Sequence, residues 1–111
     1  MIVEVNAAAE AMYGYDAKAF SRLTIRDLRA DTDPFAFDQQ WAAAATSEGA
    51  LFEAVHRRRD GTTFPVEISG RVIDVNGRPY RQAFVRDISR RRILERQVAR
   101  LSRVRSALQA A

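Results

Sequence analysis

The residues best equipped for chemistry lie in one stretch, "HRRRDGTTFPVEI" from His56 to Ile68, where the single histidine adjoins three arginines. Histidine changes charge near neutral pH and is the commonest metal ligand. Either task needs partners, and the sequence holds no second histidine, no cysteine and no carboxylate at a metal-ligand spacing from His56. The lack of cysteine also removes disulfides, thiolate metal sites and thiol nucleophiles. Paired carboxylates in a plausible cleft, a Ser/His/Asp constellation and a phosphate-binding glycine loop are all missing, so nothing in the sequence supports catalysis. The arginine triplet makes a basic patch only if its side chains share a face. It ends at Asp60-Gly61, a turn signal, and successive side chains of a strand alternate between faces. A hairpin with solvated charges and an ordinary strand histidine are therefore expected.

The elements that must position these residues follow from periodicity and capping. "IVEV", Ile2 to Val5, is a β-branched run that reads as a strand. Asn6 can cap the helix former "AAAEAMY", which Gly14 closes, and Asp16 can cap "AKAFSR". Thr24 and Asp27 have capping-box spacing. Asp33 and Pro34 open a longer helix, with Phe37, Trp41, Ala44 and Ala45 on one face and Gly49 at its end. From Leu51 the period changes to two. "ALFEAVHRRR", "TTFPVEISGRVIDV" and "RPYRQAFVRDI" are three strands joined at Asp60-Gly61 and Asn76-Gly77. Pro65 lacks an N–H and favours an edge position or an irregularity in its strand. The remainder, "SRRRILERQVARLSRVRSALQAA", contains no glycine or proline and reads as a helix that Ser89 can cap. Leu94, Val98, Leu101, position 105 and Leu108 fall on a coiled-coil seam, which Arg105 interrupts.

The chain has 111 residues, 47% apolar and 29% charged, as in an ordinary soluble domain with room for one core. Its net charge of +4 is unevenly spread. Residues 86–111 carry eight arginines against Asp87 and Glu95, a net +6, while residues 1–85 carry ten basic and twelve acidic side chains, a net −2. The body therefore lacks the continuous basic face that nucleic acid requires. No apolar run reaches the length of a membrane span, and the N-terminus lacks the pattern of a signal peptide, so a cytoplasmic location is expected.

Strand, short helices, a longer helix, a three-stranded meander and an exit helix strongly resemble a PAS domain with its C-terminal PAC half. The resemblance rests on "VEVNAAAEAMYGY", the hairpin "HRRRDGTTFPVEIS" and "VRDIS" at the junction between last strand and helix, and it covers nearly the whole chain. It implies an α+β fold, a PAS-like antiparallel sheet with short helices on one face and a long C-terminal helix. The division it suggests is a PAS/PAC domain over residues 1–88, without the family's first strand, and a signalling helix over 89–111. A four-stranded or rearranged sheet is expected, or a partner chain that supplies the missing strand.

The resemblance also implies a pocket between helices and sheet, for which Met12, Phe20, Leu28, Phe37, Trp41, Phe52, Phe64, Val66 and Val85 are the candidate lining residues. Haem-binding relatives commonly carry an axial histidine on the long helix, and Pro34 to Ser47 has none. The subfamily that forms a cysteine–flavin adduct is excluded by the lack of cysteine, whereas noncovalent flavin is not. The ligand, if one binds, stays open. Asp87, Ile88 and Ser89 match the family's junction between last strand and signalling helix, so they are the candidate relay. Leu94, Val98, Leu101 and Leu108 are the candidate dimer helix. The expected function is a sensory or regulatory module of a bacterial histidine kinase or cyclic-di-GMP enzyme, acting as a homodimer with an attached output domain. The alternatives are a ligand-free dimerisation scaffold and, less favoured, a basic helix that docks on an anionic membrane or nucleic acid.

Overall fold

The computed structural model describes residues 2–30 and 33–110, the side chains of 104–110 excepted. Capping sets the helical half. Asn6 accepts from the Ala9 N–H at the start of α1 (Ala7–Tyr13), and Gly14 ends it in the left-handed region at φ 81°. Asp16 accepts from the Ala19 N–H to start α2 (Ala17–Phe20). A 3₁₀ turn, Ile25–Leu28, follows, in which the Thr24 N–H donates to Asp27 at 2.8 Å. Asp33 accepts from Phe35 and Ala36 to open α3 (Pro34–Ala43).

Three antiparallel strands follow in the order β1-β2-β3: β1 (Ala50–Arg57), β2 (Thr63–Val75) and β3 (Arg78–Asp87). The β2–β3 turn has Asn76 at φ 53° and Gly77 at φ 82°, the double left-handed geometry that twists a tight hairpin correctly. Helix α4 (Ser89–Ala110) leaves the end of β3. The core fills the space between the inner sheet face and the short helices, with Tyr13, Phe20, Leu28, Ala54, Phe64, Val66 and Ile68 buried. Tyr13 makes edge contacts with Phe20 and Phe64 at centroid separations of 5.8 and 5.5 Å, a favoured aromatic geometry.

The fold differs from expectation in three places. Ile2–Val5 is not a strand: the Ile2 N–H donates to the Leu23 carbonyl, while Ile2 and Val5 pack on the core. Among the described residues the sheet consequently has three strands, the rearranged rather than the four-stranded form. Pro65 lies in the central strand, not at an edge. Its carbonyl accepts from the Ile88 N–H just past the end of β3, so its nitrogen faces the place where ladder pairing stops and no sheet bond is lost. Helix α3 ends at Ala43, before Gly49. Gly49 instead serves the entry to β1: its φ is 76°, and a Cβ there would come within 2.3 Å of the Gly70 carbonyl oxygen.

Candidate relay site at the strand–helix junction

The junction is built around Asp87, the last residue of β3. One carboxylate oxygen accepts from the Ser89 N–H at 2.9 Å and from the Ser89 hydroxyl at 2.5 Å. Asp87 thus satisfies an orphan N–H in the first turn of α4, and its charge lies where the helix dipole favours an anion. The cap role expected of Ser89 falls to Asp87, because Ser89 is already the first helical residue and its hydroxyl turns back to the carboxylate. Ile88, between them, is buried. Partial burial pushes the Asp87 pKa up, but the two Ser89 hydrogen bonds and the charge of Arg58 outweigh it and hold the carboxyl below the usual range.

Arg58 connects this cap to the rest of the domain. Its Nη2 donates to the second Asp87 oxygen at 3.2 Å, its Nε to the Met12 carbonyl at 3.0 Å, and its guanidinium lies 3.9 Å from the Phe64 ring centroid. The expectation of solvated arginines fails for Arg58, though Arg57 and Arg59 are exposed. The hairpin turn places Arg58 over Phe64, and there it can reach the last helical turn of α1 and the end of β3 together. One side chain therefore ties α1, the β1–β2 hairpin and the start of α4.

Below it lies a buried polar pair. His56 sits on the inner face of β1, 1% exposed, and its Nδ1 is joined to the Tyr13 hydroxyl by a hydrogen bond of 2.7 Å. Burial, with a smaller contribution from the Asp87 charge, raises the Tyr13 pKa, so the hydroxyl stays protonated. His56 also bridges to Arg29, and the Ala30 N–H donates to the Val55 carbonyl, which covers part of the outer edge of β1. Among the described residues no group of three or more His, Asp or Glu is arranged to hold a metal ion.

Of the nine candidate pocket residues, seven come together. Phe20, Leu28, Phe64 and Val66 are buried, and Met12, Phe52 and Val85 pack against them. Phe37 and Trp41 stack on one another along α3 at 5.8 Å and are held by arginines. Arg26 and Arg29 lie over the Phe37 ring, and Arg81 lies 3.5 Å from the Trp41 centroid while donating to the Trp41 carbonyl at 2.7 Å. None of the residues of α3 is buried, and these arginines hold it to the domain together with the bonds from Arg26 to Asp38 at 3.0 Å and from Arg29 to Gln40 at 2.7 Å. Surface depressions flank the Arg58 region and the sheet. One of about 430 Å³ lies beside Tyr13, Gly14 and Arg58, and one of about 270 Å³ lies on the sheet beside Ser69, Phe84 and Val85.

On the outer face of the sheet, Glu53 and Glu67 stand directly opposite each other across β1 and β2. Arg91 of α4 donates to Glu53 at 2.5 Å and to Glu67 at 3.2 Å, and Arg92 donates to Glu53 as well. The Glu67 bond leads the effects that hold the Arg91 pKa above its ordinary value, against desolvation and with help from the charges of Glu53, Glu67 and Glu95. Beyond this root the described side chains of the helix, residues 93–103, are exposed. Leu94, Val98 and Leu101 are 51%, 67% and 70% exposed, while Leu108 lies outside the residues whose side chains are described.

The sequence matches the family model of the PAS domain over residues 1–90. The chain belongs to the PAS domain family. Among solved structures it is similar to the PAS domain of an HTR-like protein from Haloarcula marismortui, with 29% identity and a TM-score of 0.66 over 77% of this chain and 70% of that one. It is also similar in fold to a PAS domain from a two-component sensor histidine kinase, with 22% identity and a TM-score of 0.58 over 74% of this chain and 70% of that one. No curated protein matches it. PAS domains are sensory modules rather than catalysts, and the three-stranded sheet, short helices and C-terminal helix are those of the PAS α+β fold. No helix among the described residues is long and apolar enough to cross a membrane.

Proposed function

We propose that this PAS domain is the sensory or regulatory module of a multidomain bacterial signalling protein, a histidine kinase or a cyclic-di-GMP enzyme, and that it relays a ligand- or partner-induced change through Asp87, Ile88 and Ser89 into α4. The observation that carries the proposal is the reach of Arg58, which bonds the Met12 carbonyl in α1 and the Asp87 cap of α4 with one guanidinium. Any shift of α1 or of the hairpin against β3 pulls on the residue that caps the exit helix. A ligand drives such a shift only through unequal affinity for the two arrangements.

In this reading residues 1–88 form the cytoplasmic sensory unit, and 89–111 the helix that leads to an output domain. Two copies pair through the bare stripe of Leu94, Val98 and Leu101, continued in sequence by Leu108. The similarity to a PAS domain of a sensor histidine kinase supports the kinase alternative for the output. Tyr13, Phe20 and Phe64 fill much of the interior, which favours a second reading, a ligand-free dimerisation and scaffold module.

An absorption spectrum and native mass spectrometry of the freshly purified protein separate the two. Visible bands, or a bound mass released on denaturation, identify a chemical sensor. A colourless dimer of bare chains supports the scaffold, and a bare monomer at all concentrations refutes both pairing readings.

A further inference from the structure

Glu53 and Glu67 are a like-charged pair directly across two strands, an arrangement that destabilises a sheet unless a cation lies between them. The cation is Arg91, with one guanidinium nitrogen on each carboxylate and its Nε 3.6 Å from Glu95 on the same helix. Arg92 adds a second contact to Glu53. The place of Arg91 in the helix gives this cluster a further meaning. The stripe Leu94, Val98, Leu101 advances by four and three, and a step of three back from Leu94 falls on Arg91. Arg91 therefore occupies the first position of the pairing seam. In a parallel two-stranded coil that position faces its own copy, so two guanidinium groups would meet there.

Resting on the proposed pairing of α4, we infer that the Glu53–Glu67 pair is a docking site for the first seam position of the exit helix, which takes Arg91 out of the interface with a second copy and fixes the rotational phase in which Leu94, Val98 and Leu101 are presented. The sheet thereby acts on α4 at two points. Asp87 holds the backbone at Ser89, and the glutamates hold the seam two residues further on, at Arg91. A shear between β1 and β2 separates Glu53 from Glu67, frees Arg91 and turns the seam. Regulation at this site is then a competition for Arg91 between the chain's own sheet and a repulsive position in the dimer.

The test uses the whole chain and the double variant Glu53→Gln/Glu67→Gln, which keeps the side-chain shape and removes both charges. Sedimentation equilibrium gives the dimer Kd. Spin labels at Thr63→Cys and Gln97→Cys, in chains diluted with unlabelled protein, give the distance from sheet to helix within one chain, and no native cysteine interferes. The double variant is expected to raise Kd by about tenfold, a change of ~1.4 kcal/mol, and to broaden the intrachain distance distribution. Adding Arg91→Leu to it is expected to restore dimerisation to the native level or better, because leucine packs where arginine repels. Unchanged Kd and an unchanged distribution in the double variant would overturn the inference, as would failure of Arg91→Leu to rescue a weakened dimer. If the native chain is monomeric, the pairing reading fails by itself. The distance distribution alone then decides whether the glutamates hold the helix: narrow in the native chain and broad in the variant supports docking, equal widths refute it.

Discussion

Replacing Arg58 with alanine removes the bond to the Met12 carbonyl, the ion pair with Asp87 and the guanidinium over Phe64, together with a long, weak contact to the Thr62 hydroxyl at 3.4 Å. The ion pair is about one third exposed on each side, 30% for Arg58 and 34% for Asp87, so solvent screening limits it to ~0.5 kcal/mol. The hydrogen bond to a backbone carbonyl adds ~1 kcal/mol, and the cation–π contact adds ~0.5 kcal/mol. Together they predict a loss of about 2 kcal/mol, which for a domain of this size lowers Tm by roughly 8 °C. Urea and thermal unfolding followed by circular dichroism measure it, with Arg57→Ala and Arg59→Ala as exposed neighbours expected to stay within ~0.5 kcal/mol. A double-mutant cycle with Asp87→Ala isolates the direct pair, expected to couple by ~0.5 kcal/mol. If Arg58→Ala is no more damaging than Arg57→Ala, Arg58 does not tie α1 to the junction, and the structural basis of the relay is lost.

Other perturbations probe separate parts of the account. The Asp87 pKa is lowered by folding, so its contribution to stability is present above the unfolded value of ~3.9 and is lost as pH falls through the folded value. The stability difference between the native chain and Asp87→Asn should therefore be greatest near neutrality and shrink under acid, as pH-dependent urea titrations would show; a difference constant with pH would contradict it. Tyr13→Phe deletes the hydroxyl bonded to the buried His56 and should cost ~1–2 kcal/mol in the same unfolding assay. Gly49→Ala should be far worse than Gly61→Ala. Both positions have positive φ, costing ~1 kcal/mol each, but only at Gly49 does the new Cβ meet backbone, at 2.3 Å from the Gly70 oxygen. Equal losses of Tm in the two variants would refute that contact.

What the sequence showed was local. Asn6, Asp16, Thr24 with Asp27, and Asp33 with Pro34 each mark a helix start because a cap is a relation among residues three apart or fewer. Asp60-Gly61 and Asn76-Gly77 mark the hairpins for the same reason. What it hid was distant. Arg58 looks like its neighbours Arg57 and Arg59 until the fold brings Met12 and Asp87 within reach of it, separations of 46 and 29 residues. The Tyr13–His56 bond spans 43 residues, and no spacing rule announces it. Phe37 and Trp41 share the helical face that the sequence suggested, yet arginines from elsewhere cover them rather than the core. Ile2–Val5 has the composition of a strand, but pairing belongs to two segments and composition to one. Glu53, Glu67 and Arg91 are unremarkable as letters, and only the register of β1 on β2 sets the glutamates side by side.

The central claim is that the junction at Asp87–Ser89 sets how α4 is presented to a second copy. A single spin label at Gln97→Cys, on the exposed surface of α4, reports the distance between the two helices of a dimer by pulsed electron spin resonance. In the native chain the distribution should be narrow. In Asp87→Ala, with circular dichroism showing that the domain remains folded, it should shift or broaden. Superimposable distributions from two folded dimers would contradict the claim.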